Sequence, residues 1–388
     1  MTLLNPQVLQ DLIAEYARLQ RLDGFTPQSR GHRLNGFIAE MLGCWGIGAR
    51  SDTNTLGNID VVFEAAGFRF ILEAKWENHP ADTGHVTKLQ KRVRQRLQGT
   101  IGVMLAVSGY SEEALHDVKD GERLEVLLIS REHLDAMLVG LVPPEEMFSM
   151  LLQHASFFGD PSPSLFTLLA PDGPVPPIRF GPPPELPVLV RSASATFEAE
   201  VVLSDLPFGQ HGVSEIRPGV LVLTLTTGLI EVDLSTTTVT RRLLGGGCSR
   251  NTLPHDLGTS FVRRHGVGVV DGDRVFPVAG GWGGNVALFQ GPDDAVWALS
   301  GIPDNRGQSA AAVFRIGTEV GEQVLTTVPN LFGETVPYPL GSATNVGWAG
   351  GDDYGPYASE WGERVRIRGG RGLLGQVTPP AWRSTRSR

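Results

Sequence analysis

Beyond about Ser192, no stretch of this 388-residue chain keeps a helical period long enough to name, and that limits its architecture more than any other feature. Apolar runs of strand length follow one another at 220–225, 229–234, 239–244, 267–270, 274–278, 286–289, 296–300 and 311–316. Turn residues punctuate them, as in Thr226-Thr227-Gly228 and Asp271-Gly272-Asp273. Short strands separated this way predict an all-β region. The 48 Gly, the 27 Pro and a charged fraction of only 19% agree with a turn-rich β protein. A hydrophobic content of 41% is enough to pack cores and argues against disorder.

Upstream of about residue 155 the pattern is different. Apolar residues recur at helical spacing over 6–22 and 31–42. Two β-like runs, 59–63 and 68–74, flank Glu64-Ala65-Ala66-Gly67, which predicts a hairpin. A basic helix over 86–97 follows, then a strand (101–107), a helix (112–118), a strand (125–129) and a helix (131–139). This order predicts a small α/β domain, a mixed sheet flanked by helices, over 1–155. Ten prolines between 160 and 188 predict a semi-rigid linker over 156–190. An all-β domain over 191–388 completes the expected organisation.

Within that last region, Gly228–Ser235, Gly272–Gly280 and Asp293–Gly301 echo one another as turn-then-strand units, a faint self-similarity that resembles propeller blades. At roughly 40–50 residues per blade the region holds about four, so an atypical, incomplete or partner-completed ring stays open beside a sandwich.

Chemistry concentrates in the hairpin. Asn58-Ile59-Asp60-Val61-Val62-Phe63 precedes Phe70-Ile71-Leu72-Glu73-Ala74-Lys75-Trp76. With the turn centred on positions 65 and 66, Asp60 falls opposite residue 71, one diagonal step from Glu73. Glu73 and Lys75 share a face because strand side chains alternate. Two facing carboxylates repel unless a cation lies between them. Hard oxygen donors with open positions suit Mg²⁺ or Mn²⁺, which polarise a phosphodiester and acidify a bound water. Lys75 would orient that water or stabilise developing charge. Glu40, at the end of the second helix, is the candidate third carboxylate.

This spacing resembles the PD-(D/E)xK nuclease superfamily, and more closely its Mrr-like restriction endonuclease group. Arg30-Gly31 with Phe37-Ile38-Ala39-Glu40 resembles the group's first-helix segment, although Glu40 falls two positions beyond the usual acid. Glu73-Ala74-Lys75-Trp76 resembles its catalytic strand, and 99–114 its next strand, loop and helix. The resemblance spans about residues 28–140. It implies a restriction-endonuclease-like fold, divalent-metal dependence and DNA cleavage. It also implies a glutamine near the metal water on the helix after the catalytic strand, which by position is Gln90. Lys88, Lys91, Arg92, Arg94 and Arg96 make that helix the candidate nucleic-acid surface, with Val86, Leu89, Val93 and Leu97 as its apolar stripe.

With a net charge of −9, any attraction to nucleic acid must be local. Cys44 and Cys248 build neither a disulfide framework nor a cysteine zinc site. His79, His85, the paired aspartates of the β region and its tryptophans read as exposed, turn and core residues, and the arginine-rich tail from Arg364 as a frayed end. With no signal peptide, no membrane-length apolar run and no P-loop, the expectation is a cytoplasmic endonuclease without its own motor. Its β-domain would recognise a target or protein partner, a dimer would cut both strands, and the setting would be bacterial defence. RNA as substrate stays open, as does a nuclease fold that binds without cutting.

Overall fold

The computed structural model describes residues 6–53, 59–119, 124–169, 178–181, 189–191, 196–198, 203–204, 210–225, 228–244, 248–281, 286–290, 295–303, 309–322, 324–329, 335–337, 347–352, 355–360 and 363–366. Asp293, Asp294, Asp353, Trp282, Trp361 and the tail beyond 366 lie outside these.

The first part runs α1 (Pro6–Arg21), α2 (Pro27–Cys44), β1 (Ala49–Thr53), β2 (Ile59–Ala65), β3 (Phe68–Lys75), α3 (Thr83–Arg94), β4 (Thr100–Ala106), α4 (Glu112–Lys119), β5 (Val126–Ser130), α5 (Arg131–Val139), α6 (Pro144–Phe158) and α7 (Leu165–Leu169). α2 begins earlier than apolar spacing suggests because Thr26 caps it. The Thr26 hydroxyl accepts from the Ser29 amide at 3.1 Å, and Ser29 returns the bond to the Thr26 amide at 2.8 Å. Pro27 then occupies the first turn, where a missing amide hydrogen costs nothing.

The strands form one mixed sheet in the order β1-β2-β3-β4-β5. β1, β2 and β3 are antiparallel, whereas β3, β4 and β5 are parallel, with α3 and α4 as crossovers. Alternation divides the apolar residues between two layers. Ile71, Met104, Val126 and Leu128 pack against Val86, Leu89 and Val93 of α3 and Ala114 and Val118 of α4. Val61, Phe63, Phe70, Leu72, Val103 and Leu127 face the opposite way, onto Phe37 and Met41 of α2 and Phe148 of α6. The expected mixed sheet flanked by helices is what forms.

Three elements differ from expectation. β1, with the sequence Ala-Arg-Ser-Asp-Thr, carries no apolar alternation, yet pairs along β2. α6 lies where no helix was expected. α7 falls inside the proline-rich stretch, and its Leu165, Leu168 and Leu169 are buried. Just before it, the carbonyl of Pro161 accepts from the Leu128 amide at 2.8 Å, so this segment is tied to the sheet.

The rest of the described chain is β throughout. Two short pairs come first, β6 (Arg179–Phe180) with β9 (Leu203–Ser204) and β7 (Leu189–Arg191) with β8 (Thr196–Glu198). Antiparallel meanders follow. The first comprises β10 (Gln210–Arg217), β11 (Val220–Leu225), β12 (Gly228–Asp233) and β13 (Thr238–Leu244). The second comprises β14 (Cys248–His255), β15 (Gly258–Arg263), β16 (Gly266–Asp271) and β17 (Arg274–Gly280). A five-stranded meander, β18 (Val286–Gln290) to β22 (Thr335–Pro337), and a three-stranded one, β23 (Gly347–Asp352) to β25 (Glu363–Arg366), complete it. Val262, Val267, Val269 and Val278 pack the second meander against Val286, Leu288, Val296 and Phe314 of the third.

The C-terminal end of α5 plugs into this β region. The Gly281 amide donates to the Val139 carbonyl at 2.9 Å, and the His265 amide to that of Gly140 at 3.1 Å. The backbones approach so closely that a Cβ on Gly280 would lie 2.1 Å from the Val139 oxygen. Buried Arg263 spans the contact, donating to the Leu141 carbonyl at 2.7 Å and to Glu146 at 2.6 Å. No helix among the described residues is long and apolar enough to cross a membrane.

Candidate active site

The β2–β3 turn fixes the site. Ala66 and Gly67 both take positive φ, 49° and 77°, and Ala65 pairs with Phe68. Two consecutive left-handed residues make the tight turn whose twist suits a hairpin, and Gly67 adopts it without a Cβ penalty. The tip is therefore 66–67, one residue later than expected, and the register changes by two. Val62 pairs with Ile71 and Val61 with Leu72, where the ladder ends one residue short of Asp60 and Glu73, so both lie at the same end of the hairpin. Glu73 and Lys75 share a face of β3 by alternation.

Asp60 is half-buried and held at both oxygens. Oδ2 accepts from the Ala74 amide at 2.9 Å, and Oδ1 from the Asn35 side-chain amide at 3.2 Å. Burial pushes its carboxyl above the ordinary carboxylate value. The Ala74 amide, Lys75, Asn35 and Arg92 each pull the other way without cancelling that rise. Glu73 is only 6% exposed, and its Oε1 accepts from the Arg92 guanidinium of α3. β2 and β3 thus place Asp60, Glu73 and Lys75 at one end of the hairpin, and Arg92 of α3 reaches Glu73 there.

Other expected residues lie elsewhere. Glu40 is exposed and bidentate to Arg33, at 2.8 and 2.9 Å, while Arg33 also grips Glu15 of α1 at 2.5 Å. Five residues separate Asn35 from Glu40, about 140° around a helix, so the α2 face that delivers Asn35 to Asp60 turns Glu40 away. Among the described residues no group of three or more His, Cys, Asp or Glu side chains is assembled for a metal. Glu40 is thus held by Arg33 and is not brought to Asp60 and Glu73. Gln90 is half-buried on α3 and sits two residues, about 200°, from Arg92, on the other flank of the apolar stripe. Arg92, not Gln90, is the α3 residue brought to Glu73.

The basic helix divides similarly. Arg92 serves the site, Arg94 pairs with Glu125 at 2.6 Å, and Arg96 donates to the Arg92 carbonyl. Lys88 and Lys91 have exposed side chains and form no ion pair with a described residue. The helix itself carries no acid, and Arg92 and Arg94 find their carboxylates on other elements, Glu73 and Glu125. Leu97, expected in the apolar stripe, is 81% exposed because α3 ends at Arg94. His79 is exposed, and His85 binds Asp82, the residue capping α3, at 2.7 Å.

Asn35 and Arg92 were not singled out for these roles by sequence. Asn35 left a signal, a buried amide between Leu34 and Phe37 on the apolar face of α2. Arg92 left none, since its contact joins residues 19 apart across a helix–strand interface.

These features, a short hairpin carrying Asp60, Glu73 and Lys75 on a mixed sheet, coincide with a family match. Residues 28–138 match the restriction endonuclease family of the Mrr catalytic type. The restriction endonuclease match covers α2 through nearly all of α5 and none of the β region. No curated protein matches the chain. Among solved structures, it is similar to a protein of unknown function, AF1548, at 19% identity over 32% of this chain, with a TM-score of 0.22. It is also similar to the MspJI restriction endonuclease in complex with a 27-mer oligonucleotide, at 18% identity over 39%, with a TM-score of 0.25. A third similarity is to regucalcin, a calcium-binding protein from Agrobacterium tumefaciens, at 14% identity over 46%, with a TM-score of 0.31. The matched parts span 66%, 37% and 62% of those three chains. Scores this low establish no shared architecture.

Proposed function

We propose that the restriction endonuclease region hydrolyses DNA phosphodiester bonds with Mg²⁺ or Mn²⁺ held by Asp60 and Glu73. The observation that supports this reading is that Asp60 and Glu73 lie at one end of the hairpin, with Asp60 bonded to the Ala74 amide between Glu73 and Lys75. Two hard oxygen donors fit Mg²⁺, which commonly takes one or two carboxylates and fills its other positions with water and substrate phosphate. A divalent ion supplies charge stabilisation at the phosphoryl oxygens and a bound water acidic enough to attack at neutral pH. The chain's own residues prepare the ground. The Ala74 amide and Asn35 fix both oxygens of Asp60, and Lys75 offers an ammonium group to the reacting phosphate or its attacking water. Lys88 and Lys91 offer exposed charge to the phosphate backbone.

The wider roles belong to the same proposal. The β region (191–388) serves as a recognition module, and its antiparallel meanders, packed face to face, resemble propeller blades. A dimer would cut both strands of a duplex, and a defence role in the cytoplasm is the setting in which such an enzyme meets foreign DNA.

Duplex DNA and RNA incubated with Mg²⁺ or Mn²⁺ test the reading. Wild type should cleave, whereas Asp60→Ala and Lys75→Ala should each lose roughly 100-fold or more in rate. Equal rates in the variants would end it. The placement of Arg92 on Glu73 favours a second reading, in which the fold binds nucleic acid without cutting. Binding that survives EDTA, without turnover in either ion, would support that version.

A further inference from the structure

Glu73 is a buried carboxylate, and a buried charge is costly without a cation beside it. Arg92 is that cation. It reaches Glu73 from α3, and its charge also acts on Asp60. Its backbone carbonyl is held by Arg96, near the end of the helix. A divalent ion held by Asp60 and Glu73 would compete with the guanidinium for the negative charge of Glu73.

We propose that Arg92 is a displaceable counter-ion, which holds Glu73 while the metal site is empty and is released when a divalent ion enters. This rests on the metal-dependent reading above and assigns a form of regulation to the same site. In the ion-free state Arg92 neutralises the carboxylate pair and lets α3 pack on the sheet. In the loaded state the released guanidinium lies on the helix that carries exposed Lys88 and Lys91, where it can pair with a phosphate. Ion and nucleic acid therefore assist each other: the ion frees a cation for phosphate, and phosphate stabilises the released form of the arginine. Linkage makes the assistance reciprocal.

The test is Mn²⁺ binding to the full chain, measured by calorimetry without nucleic acid, for wild type, Arg92→Gln and Arg92→Lys. Arg92→Gln removes the competing charge and should tighten Mn²⁺ binding by about tenfold, the scale of one lost charge-assisted hydrogen bond. It should also lower the ion-free melting temperature, with Mn²⁺ restoring it. Arg92→Lys keeps the charge without the planar fork and should fall between the two, which preserves the measurement if the glutamine variant does not fold. Unchanged or weaker Mn²⁺ affinity in a folded Arg92→Gln variant overturns the inference. If wild type still cleaves in Mn²⁺, that result leaves the nuclease reading standing. Wild type and both variants binding no Mn²⁺ would overturn both.

Discussion

Asn35 and Asp135 show what a single buried polar group does here. Asn35 donates one hydrogen bond to Asp60 and is 8% exposed. Asn35→Ala should cost about 1 kcal/mol of stability in chemical denaturation, while reducing cleavage more than that loss of folded protein explains, because Asp60 loses one of its two anchors. Asp135, on α5, is buried with Arg131 at 3.3 Å, and burial pushes its carboxyl up to about 6. Between the ordinary aspartate value and that one, the folded state binds more protons than the unfolded state, so Asp135 destabilises the fold progressively as pH rises through the window. Asp135→Asn removes this dependence. Melting from pH 4.5 to 7.5 should show the variant gaining on wild type as pH rises, and parallel curves would refute it. Asp60 is also raised by burial, so at ion concentrations below saturation cleavage should weaken on acidification sooner than an unshifted aspartate would allow.

At the scale of elements, the site depends on how α3 sits on the sheet. Gly102 of β4 lies under that helix, and a Cβ there would approach Val93 Cγ2 to 2.9 Å and Leu89 Cγ to 3.2 Å. Gly102→Ala must push α3 outward, costing roughly 1–3 kcal/mol and pulling Arg92 off Glu73. Lower stability together with altered Mn²⁺ affinity is the expected result, read by denaturation and calorimetry. The hairpin was legible because apolar alternation on both sides of Gly67 leaves few other pairings. Its register was not, because the turn could centre on 65–66 or on 66–67, and only the backbone angles decide. β1 was hidden because it pairs as a polar strand at the sheet edge. α6 did leave signs, with Pro144 at its start and Glu145 and Glu146 in its first turn. Glu40 lies near the end of α2, but its helical step sets it about 140° from Asn35, where Arg33 binds it. Arg92 was counted among surface cations because no local pattern reveals a partner in a different strand.

At the scale of the molecule, α5 and the segment after it couple the mixed sheet to the β region through backbone hydrogen bonds and Arg263, 3% exposed. Removing that arginine leaves the Leu141 carbonyl without its donor and Glu146 with Arg264 alone, at 3.3 Å. Arg263→Ala should therefore destabilise by about 2–3 kcal/mol, and thermal unfolding should broaden or split as the two regions separate. A single sharp transition at the wild-type temperature would show that the contact does not couple them. The division between a helical sheet layer and a β-rich remainder was legible from hydrophobic period alone. The way Gly280 and Gly266 admit the α5 backbone was not, since close approach depends on the partner surface. The most direct test of the account is anomalous diffraction from crystals soaked in Mn²⁺. The account predicts one peak bridging Asp60 and Glu73, with the Arg92 guanidinium turned away; an enzyme that cleaves in Mn²⁺ yet shows no ion between those carboxylates, with Arg92 still on Glu73, would contradict it.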